Sequence, residues 1–465
     1  MSRYTSLLCG MGCTMLAGCT LYHPAPLATT PHYATLKTID SRALQAFPTI
    51  KAHPFNAADG LDTVEIEMLA VSHNPALRLA RSDLSVTEAQ SFAAGLLPDP
   101  QLSLAHDITH PSDVGAASSY GISYDFGALL AHSSAKKSAT EANHQATLNL
   151  LWQEWQVIGQ AQLLMVRARM QRDILRVLER QQHLLADRSA RSDRAMQQGI
   201  LSRDSANSDR VAVQAIDTKI DDQKALQATT LHDLNDLLGL PADTQLDLQL
   251  EPSFAPSTHH QTDLASALPA PELIQVALAQ MAERRPDLQA LQAGYASQDA
   301  KFRQAILAQF PSLNVGLTQA TDAAGVVSNS LGISLSLPIF NRNRGTIAIE
   351  QATRQRMQDE YQMRLNQTES SVIRLQSEQQ QQFAVWQNRQ STLRHLREDV
   401  DHARSVASTG LLDDVIWMNL NTNLLNQELE LLSLEQSIRE QDVGLSILLG
   451  LPTEHRNSTA QGLTP

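Results

Sequence analysis

The chain has 465 residues, with 36 basic against 49 acidic side chains and a formal net charge of −13. That balance argues against a nucleic-acid partner, which needs a basic footprint. All three cysteines, Cys9, Cys13 and Cys19, lie in the first 19 residues, so the remainder has no disulfide or thiol chemistry and must be stabilised by burial and assembly.

Arg3 precedes a short apolar run, Leu7 to Met15, and then Leu16-Ala17-Gly18-Cys19. This reads as a secretory signal over residues 1–18, too short to stay as a spanning helix. The Leu-Ala-Gly-Cys ending resembles the bacterial lipobox. The resemblance implies cleavage before Cys19, lipid on its sulfur, and a lipidated arm over 19–60. Thr20 follows, where the inner-membrane retention signal of such lipoproteins commonly has Asp, so the outer membrane is implied. The alternative is an ordinary signal peptide with an incidental cysteine. No later stretch approaches 18 apolar residues, so a membrane role requires a barrel.

The rest of the chain repeats at a constant offset of 211 residues. Pro75 recurs as Pro286, Pro100 as Pro311, Gly121-Ile122-Ser123 as Gly332-Ile333-Ser334, and Gly199 as Gly410. Leu238-Gly239-Leu240-Pro241 recurs as Leu449-Gly450-Leu451-Pro452. Two copies of one unit are implied, over 61–241 and 272–452, with a linker at 242–271 and a polar tail at 453–465.

Within a unit, Asn74-Pro75 predicts a helix start, and Pro98 and Pro100 end that helix near Ala94. Two strands follow. Tyr120, Ile122, Tyr124 and Phe126 alternate with Ser119, Gly121, Ser123 and Asp125, and Leu331, Ile333, Leu335 and Leu337 with Ser330, Gly332, Ser334 and Ser336. Period two means one apolar face and one small or polar face. Leu102 and Leu104, and Leu313, Val315 and Leu317, mark the partner strands. The predicted connections are Thr109 to Ser118 and Gln319 to Asn329.

Proline is then absent from Pro111 to Pro241 and from Pro338 to Pro452. Leu150, Val157, Leu164, Leu178 and Leu185 fall on a heptad column that Gln171 interrupts, and Ala161, Ala168 and Leu175 on a second, a coiled-coil pattern. Gly199 and Gly410 break each stretch, with Ser202 and Asp413 as caps of the return helices. The outgoing helix is predicted over Ser134–Gln198, about 95 Å long, and the return helix over Ser202–Leu238. The return helix and the 74–94 helix together nearly match the outgoing one, so they are expected to stack end to end along it. The fold class is mainly α with a small β portion, built as two tandem repeats of helix, β-hairpin and long coiled-coil hairpin.

Four strands leave open edges and cannot close a barrel of at least eight, so several chains are required. With Arg285-Pro286-Asp287-Leu288, the segment Leu337-Pro338-Ile339-Phe340-Asn341-Arg342-Asn343-Arg344-Gly345, the two glycine tips and Leu-Gly-Leu-Pro at both unit ends, the sequence resembles the TolC outer-membrane efflux family over about residues 60–452. The resemblance implies a homotrimeric β-barrel continued by an α-helical tunnel. It also implies a periplasmic adaptor (membrane fusion protein) and an inner-membrane pump as partners. The chain is then a passive conduit in the outer membrane, embedded in its lipid and extending into the periplasm. The Phe340–Gly345 segment looks most like the heavy-metal efflux branch.

The adaptor is expected to contact Gly199, Ile200, Leu201, Gly410, Leu411 and Leu412. Asp413 and Asp414 have two readings: helix caps, or acids that threefold symmetry gathers into a cation-favouring gate. Arg203 and Asp204 occupy the equivalent turn of the first unit and are gate candidates too. No catalytic constellation, cofactor motif or metal site is expected. The 15 histidines are scattered, and His106/His110 and His259/His260 lack converging ligands. No phosphate loop or nucleophile elbow occurs. Trp152 and Trp155 are expected to pack between helices. The competing reading is a periplasmic coiled-coil scaffold or adaptor lipoprotein; an enzyme comes third.

Overall fold

The computed structural model describes residues 22–34, 55–56, 59–107, 116–250, 264, 268–408 and 414–451. Helix α1, Thr63–His73, opens on a capping box in which Asp62 accepts the Glu65 N–H and Glu65 accepts the Asp62 N–H. The reading of the sequence had passed over this helix, although Asp62-x-x-Glu65 is its signature. Helix α2, Pro75–Ala94, starts where Asn74 accepts the Leu77 N–H at 3.0 Å. Strands β1, Gln101–His106, and β2, Ser118–Asp125, lead into α3, Phe126–Gln197, and α4, Arg203–Leu237.

At 72 residues, α3 starts earlier than the predicted Ser134. Asp125 accepts the N–H groups of Gly127 and Ala128, so the last strand residue caps the helix and no loop intervenes. Ser202 caps α4 as expected, accepting the Ser205 N–H.

The second unit follows the same plan. Short helices α5, Pro271–Ala279, and α6, Met281–Arg284, precede α7, Pro286–Leu307. Then come β3, Ser312–Thr321, β4, Val327–Ser336, α8, Arg344–Ser408, and α9, Asp414–Leu449. Gly239 and Gly450, 211 residues apart, both close a helix at positive φ, 64° and 65°. This is the left-handed position that favours glycine.

The strands form one antiparallel sheet in the order β1-β2-β3-β4. The β2–β3 pairing, Ser118↔Thr321 to Asp125↔Asn314, joins the two units. The second hairpin is tighter than predicted. Pairing continues through Gln319↔Asn329 to Thr321↔Val327, leaving a turn at 322–326. Asp322 accepts the N–H groups of Ala324 and Val326, and Gly325 takes φ 81°. Small polar residues had suggested a loop there, but backbone pairing and this Asx turn overrode their weak strand propensity.

The helices pack side by side with α3 at the centre. It packs on α2 and α4 on one side and on α7 and α9 on the other, and α8 flanks α7 and α9. The predicted end-to-end stacking is present. Asn74 Nδ2 donates to Leu237 O at 3.0 Å, so the start of α2 seals the end of α4. Arg285 Nη1 donates to Leu448 O at 2.9 Å and does the same for α7 and α9. Donor and acceptor pairs are both related by the 211-residue offset. The chemistry differs, however. Arg285 also makes a two-point ion pair to Asp287 at 2.9 and 2.8 Å, and lies 4.8 Å from the Trp152 ring of α3. Trp152 therefore packs between helices as expected.

Both heptad columns face the interior. Val157, Ala161, Leu164, Ala168, Gln171 and Leu178 are buried. Gln223 Nε2 of α4 donates to the backbone carbonyl of Gln171 at 3.3 Å. Gly159 lets Ile447 of α9 lie against α3, since a Cβ there would come within 2.1 Å of it. The main apolar cluster joins Ile66, Leu69, Val71, Leu77, Val157, Leu164, Leu234 and Leu238. Residues 242–250, read as linker, return to this cluster through Leu246, Leu248 and Leu250, and Leu248 bridges Leu61. Leu264 is buried against Trp386, Leu393 and Leu431 of the α8–α9 pair.

Candidate functional site: the two-faced sheet and the helical tips

The register puts Leu102, Leu104, Tyr120, Ile122, Val315, Leu317, Leu331, Ile333 and Leu335 on one face of the sheet. The opposite face carries Ser103, Ser119, Gly121, Ser123, Asn314, Gly316, Thr318, Ser330, Gly332 and Ser334. The apolar face is uncovered: Leu102 is 70% exposed and Ile333 66%. A soluble domain buries such a face. This one belongs against apolar solvent, while the small polar face suits a water-filled interior. Val327 and Leu337 share one strand face, and ten intervals at about 3.4 Å, tilted by ~40°, span about 26 Å along a membrane normal. Gly121 keeps the polar face shallow, because a Cβ there would meet Ser103 Oγ at 2.6 Å.

All four strands meet the helices at the same end of the sheet. That level carries exposed apolar side chains: Leu96 and Leu97 before β1, Phe126 after β2, Phe310 before β3, and Leu337, Ile339 and Phe340 after β4. Among the described residues no helix is long and apolar enough to cross a membrane.

At the far end of α3, Gly199 takes φ 73° and nothing lies within 4 Å of its Cβ position. Ile200 is 76% exposed and Leu201 is half-buried. Among the described residues this tip therefore presents an exposed apolar side chain. Arg203 and Asp204 are exposed in the first turn of α4, in no ion pair among the described residues. The helix start at Asp414 is described; Cys19, Gly410, Leu411, Leu412 and Asp413 lie outside the described residues.

Charged pairs tie the hairpins together. Near the first tip, Arg188 pairs with Asp209 at 2.9 Å and Arg210 with Asp193 at 2.8 Å, and Ser192 donates to Asp209. The same positions one repeat later hold Asp399, Leu420, Asn421, Arg404 and Ala403, so none of these links recurs. Further from the tips, Glu428 of α9 is almost fully buried and accepts from Arg180 of α3 at 2.7 Å and Arg397 of α8 at 2.9 Å. One carboxylate thus connects three helices from both units. Sequence reading had not singled it out. Little in the local sequence marks it: Asn426, Gln427 and Glu430 lie with it between the leucine pairs Leu424-Leu425 and Leu431-Leu432.

Among the described residues no three His, Cys, Asp or Glu side chains converge as metal ligands. No curated protein matches the sequence. Solved structures match almost end to end. CusC, whose crystal structures concern transmembrane channel formation, aligns at TM-score 0.66 and 16% identity, covering 86% of this chain and 95% of that one. The outer membrane protein VceC of Vibrio cholerae aligns at 0.66 and 14%, covering 84% and 97%. The MtrE outer membrane channel of Neisseria gonorrhoeae, in its open state, aligns at 0.65 and 16%, covering 83% and 88%. At such identities the likeness is one of fold. Residues 277–451, nearly the whole second unit, match the family model of outer membrane efflux proteins, and the 211-residue repeat extends the same architecture through the first unit.

Proposed function

We propose that three copies of this chain close a twelve-stranded barrel in the outer membrane, continued by a helical tunnel into the periplasm. The observation that carries this reading is the sheet: one exposed apolar face, one small polar face, and two unpaired edges, β1 and β4. An open edge seeks a partner strand, and β4 of one copy meeting β1 of the next closes a ring. The chain supplies no energy source. It is a passive conduit, with transport driven by an inner-membrane pump through a periplasmic adaptor. Imaging of the purified protein in detergent tests this. A threefold hollow cylinder is the expected result; a monomer with an open sheet sinks the reading.

The Gly199 tip closes the end of α3 remote from the sheet, so it and the equivalent Gly410 turn are the surfaces offered to the adaptor. The sheet's other end, with the 322–326 turn, then faces the cell exterior. A cysteine at Ala323 is expected to react with a membrane-impermeant maleimide in intact cells. Reaction only after outer-membrane rupture reverses the topology.

Cys19 is proposed as the lipidated first residue of the mature protein. Mass spectrometry of the membrane-extracted N-terminus is expected to find acyl chains on it. An unmodified terminus elsewhere removes the lipoprotein claim. The barrel is expected to insert in a Cys19→Ala protein as well, since a lipid adds to anchoring rather than supplying all of it.

Asp413 and Asp414 are proposed as a gate, brought near the threefold axis at the second tip, with Arg203 and Asp204 on the neighbouring turn. Replacing both aspartates with Asn removes six charges from a trimer while keeping side-chain size. Planar-bilayer recordings are expected to show weaker cation preference and weaker divalent block. Unchanged selectivity in a correctly assembled double variant leaves these acids as helix caps only.

A further inference from the structure

The turn between β4 and α8 exposes an aromatic side chain although the turn itself is firmly held. Phe340 is 97% exposed, Ile339 65% and Leu337 59%. The Arg342 N–H donates to Pro338 O at 3.2 Å, and the Arg344 N–H to Asn341 O at 3.0 Å. Asn343 Nδ2 donates to Ala305 O at 2.8 Å, tying the turn to the end of α7. Arg342 and Asn343 both adopt positive φ, 45° and 51°. Two consecutive side-chain-bearing residues in this region are disfavoured and persist only where the surroundings enforce them. The exposure of Phe340 is thus built in and not a consequence of a loose loop.

Two further observations say what covers it. Leu337 continues the register of Leu331, Ile333 and Leu335, so the turn is continuous with the apolar sheet face. Arg342 on this turn and Arg344, the first residue of α8, are exposed and make no ion pair with any described residue. In a chain of net charge −13, two uncommitted guanidinium groups stand beside a bare aromatic ring at the boundary of the apolar band. That combination matches a membrane interface, where acyl chains give way to phosphates.

We propose that this turn is a phospholipid-headgroup site. Ile339 and Phe340 enter the acyl–headgroup boundary, and Arg342 and Arg344 bind lipid phosphate through charge-assisted hydrogen bonds. The proposal rests on the reading of the sheet as a membrane barrel and adds a fixed depth for it. The other occupant of an exposed ring is a neighbouring copy of the chain, which the test separates.

The full chain is reconstituted in nanodiscs of mixed phosphatidylcholine and phosphatidylglycerol, with a nitroxide on Phe340→Cys or, separately, on Ile333→Cys. At Phe340→Cys the label is expected to be open to oxygen and to lie at headgroup depth. A label that meets mainly a water-soluble nickel chelate is in solvent, and one shielded from both reagents is covered by another copy; either overturns the proposal. At Ile333→Cys a lipid-exposed label shows that the barrel reading stands whatever the turn does; a label outside lipid removes that reading and the proposal with it. The pair Arg342→Gln and Arg344→Gln is expected to lower the ratio of phosphatidylglycerol to phosphatidylcholine retained on detergent extraction, by roughly fivefold per arginine. An unchanged ratio overturns the headgroup site.

Discussion

Arg285→Ala is expected to destabilise the protein by about 3–5 kcal/mol, the cost of breaking a buried ion pair by removing one partner. Arg285 and Asp287 are nearly fully buried. Among the described residues, removing the guanidinium leaves the Asp287 carboxylate with Arg364 alone, 3.7 Å away. It also leaves Leu448 O without its donor and the Trp152 ring without its cation. The first unit meets the same task more simply, with Asn74, Pro75 and Ala76 where the second has Arg285, Pro286 and Asp287. A double variant, Arg285→Asn with Asp287→Ala, installs that solution and removes the stranded charge. It is expected to recover most of the loss, while Arg285→Asn alone recovers little. Denaturant unfolding of the detergent-solubilised protein, followed by helical circular dichroism, measures all three. If Arg285→Ala unfolds within about 0.5 kcal/mol of the parent, a value typical of plain surface changes, the joint contributes no stability of its own.

Ile333→Arg and Ser334→Arg are adjacent substitutions with opposite expected outcomes. Ile333 sits mid-strand on the apolar face, and Ser334 points to the small polar face. An arginine on the lipid side near the bilayer midplane costs about 2–4 kcal/mol per chain, and threefold assembly applies that cost three times around one barrel. Ile333→Arg is therefore expected to reduce assembled, heat-modifiable protein in outer membranes severely. Ser334→Arg is expected to assemble normally and to lower single-channel conductance, since it narrows a water-filled lumen. Equal assembly of the two variants contradicts the assignment of faces. Normal assembly of Ile333→Arg with loss of Ser334→Arg reverses it.

Much of the architecture is legible because it depends on short-range rules. Alternation over 119–126 and 330–337 identifies strands and their two faces without any neighbour. The missing prolines, the heptad columns through Val157 and Ala161, and the glycines at 199, 239 and 450 specify helices and their ends through backbone geometry. The repeat supplies the rest: each landmark in one unit has a counterpart in the other, so weak signals reinforce each other. The misses were of another kind. The start of α3 at Phe126 depends on Asp125 being both strand residue and cap. The short 322–326 turn depends on pairing that begins elsewhere in the sheet. Helix α1 is legible in the Asp62-x-x-Glu65 capping box.

By itself, then, the sequence determined the kind and order of the elements that both units share, the apolar and polar faces of the strands, and the heptad seam of α3, but not the short helices α1, α5 and α6. These follow from periodicity, which a side chain obeys wherever its helix or strand is later packed. Tertiary structure alone decided which elements meet. Nothing local to Arg285 says that it will seal α9 while stacking on Trp152 of the other unit, or that Glu428 will hold α3 and α8 together. Such contacts span 163, 248 and 31 residues of chain. They are selected by burial: a charge or carbonyl removed from water is retained only where a partner from a distant segment arrives to satisfy it.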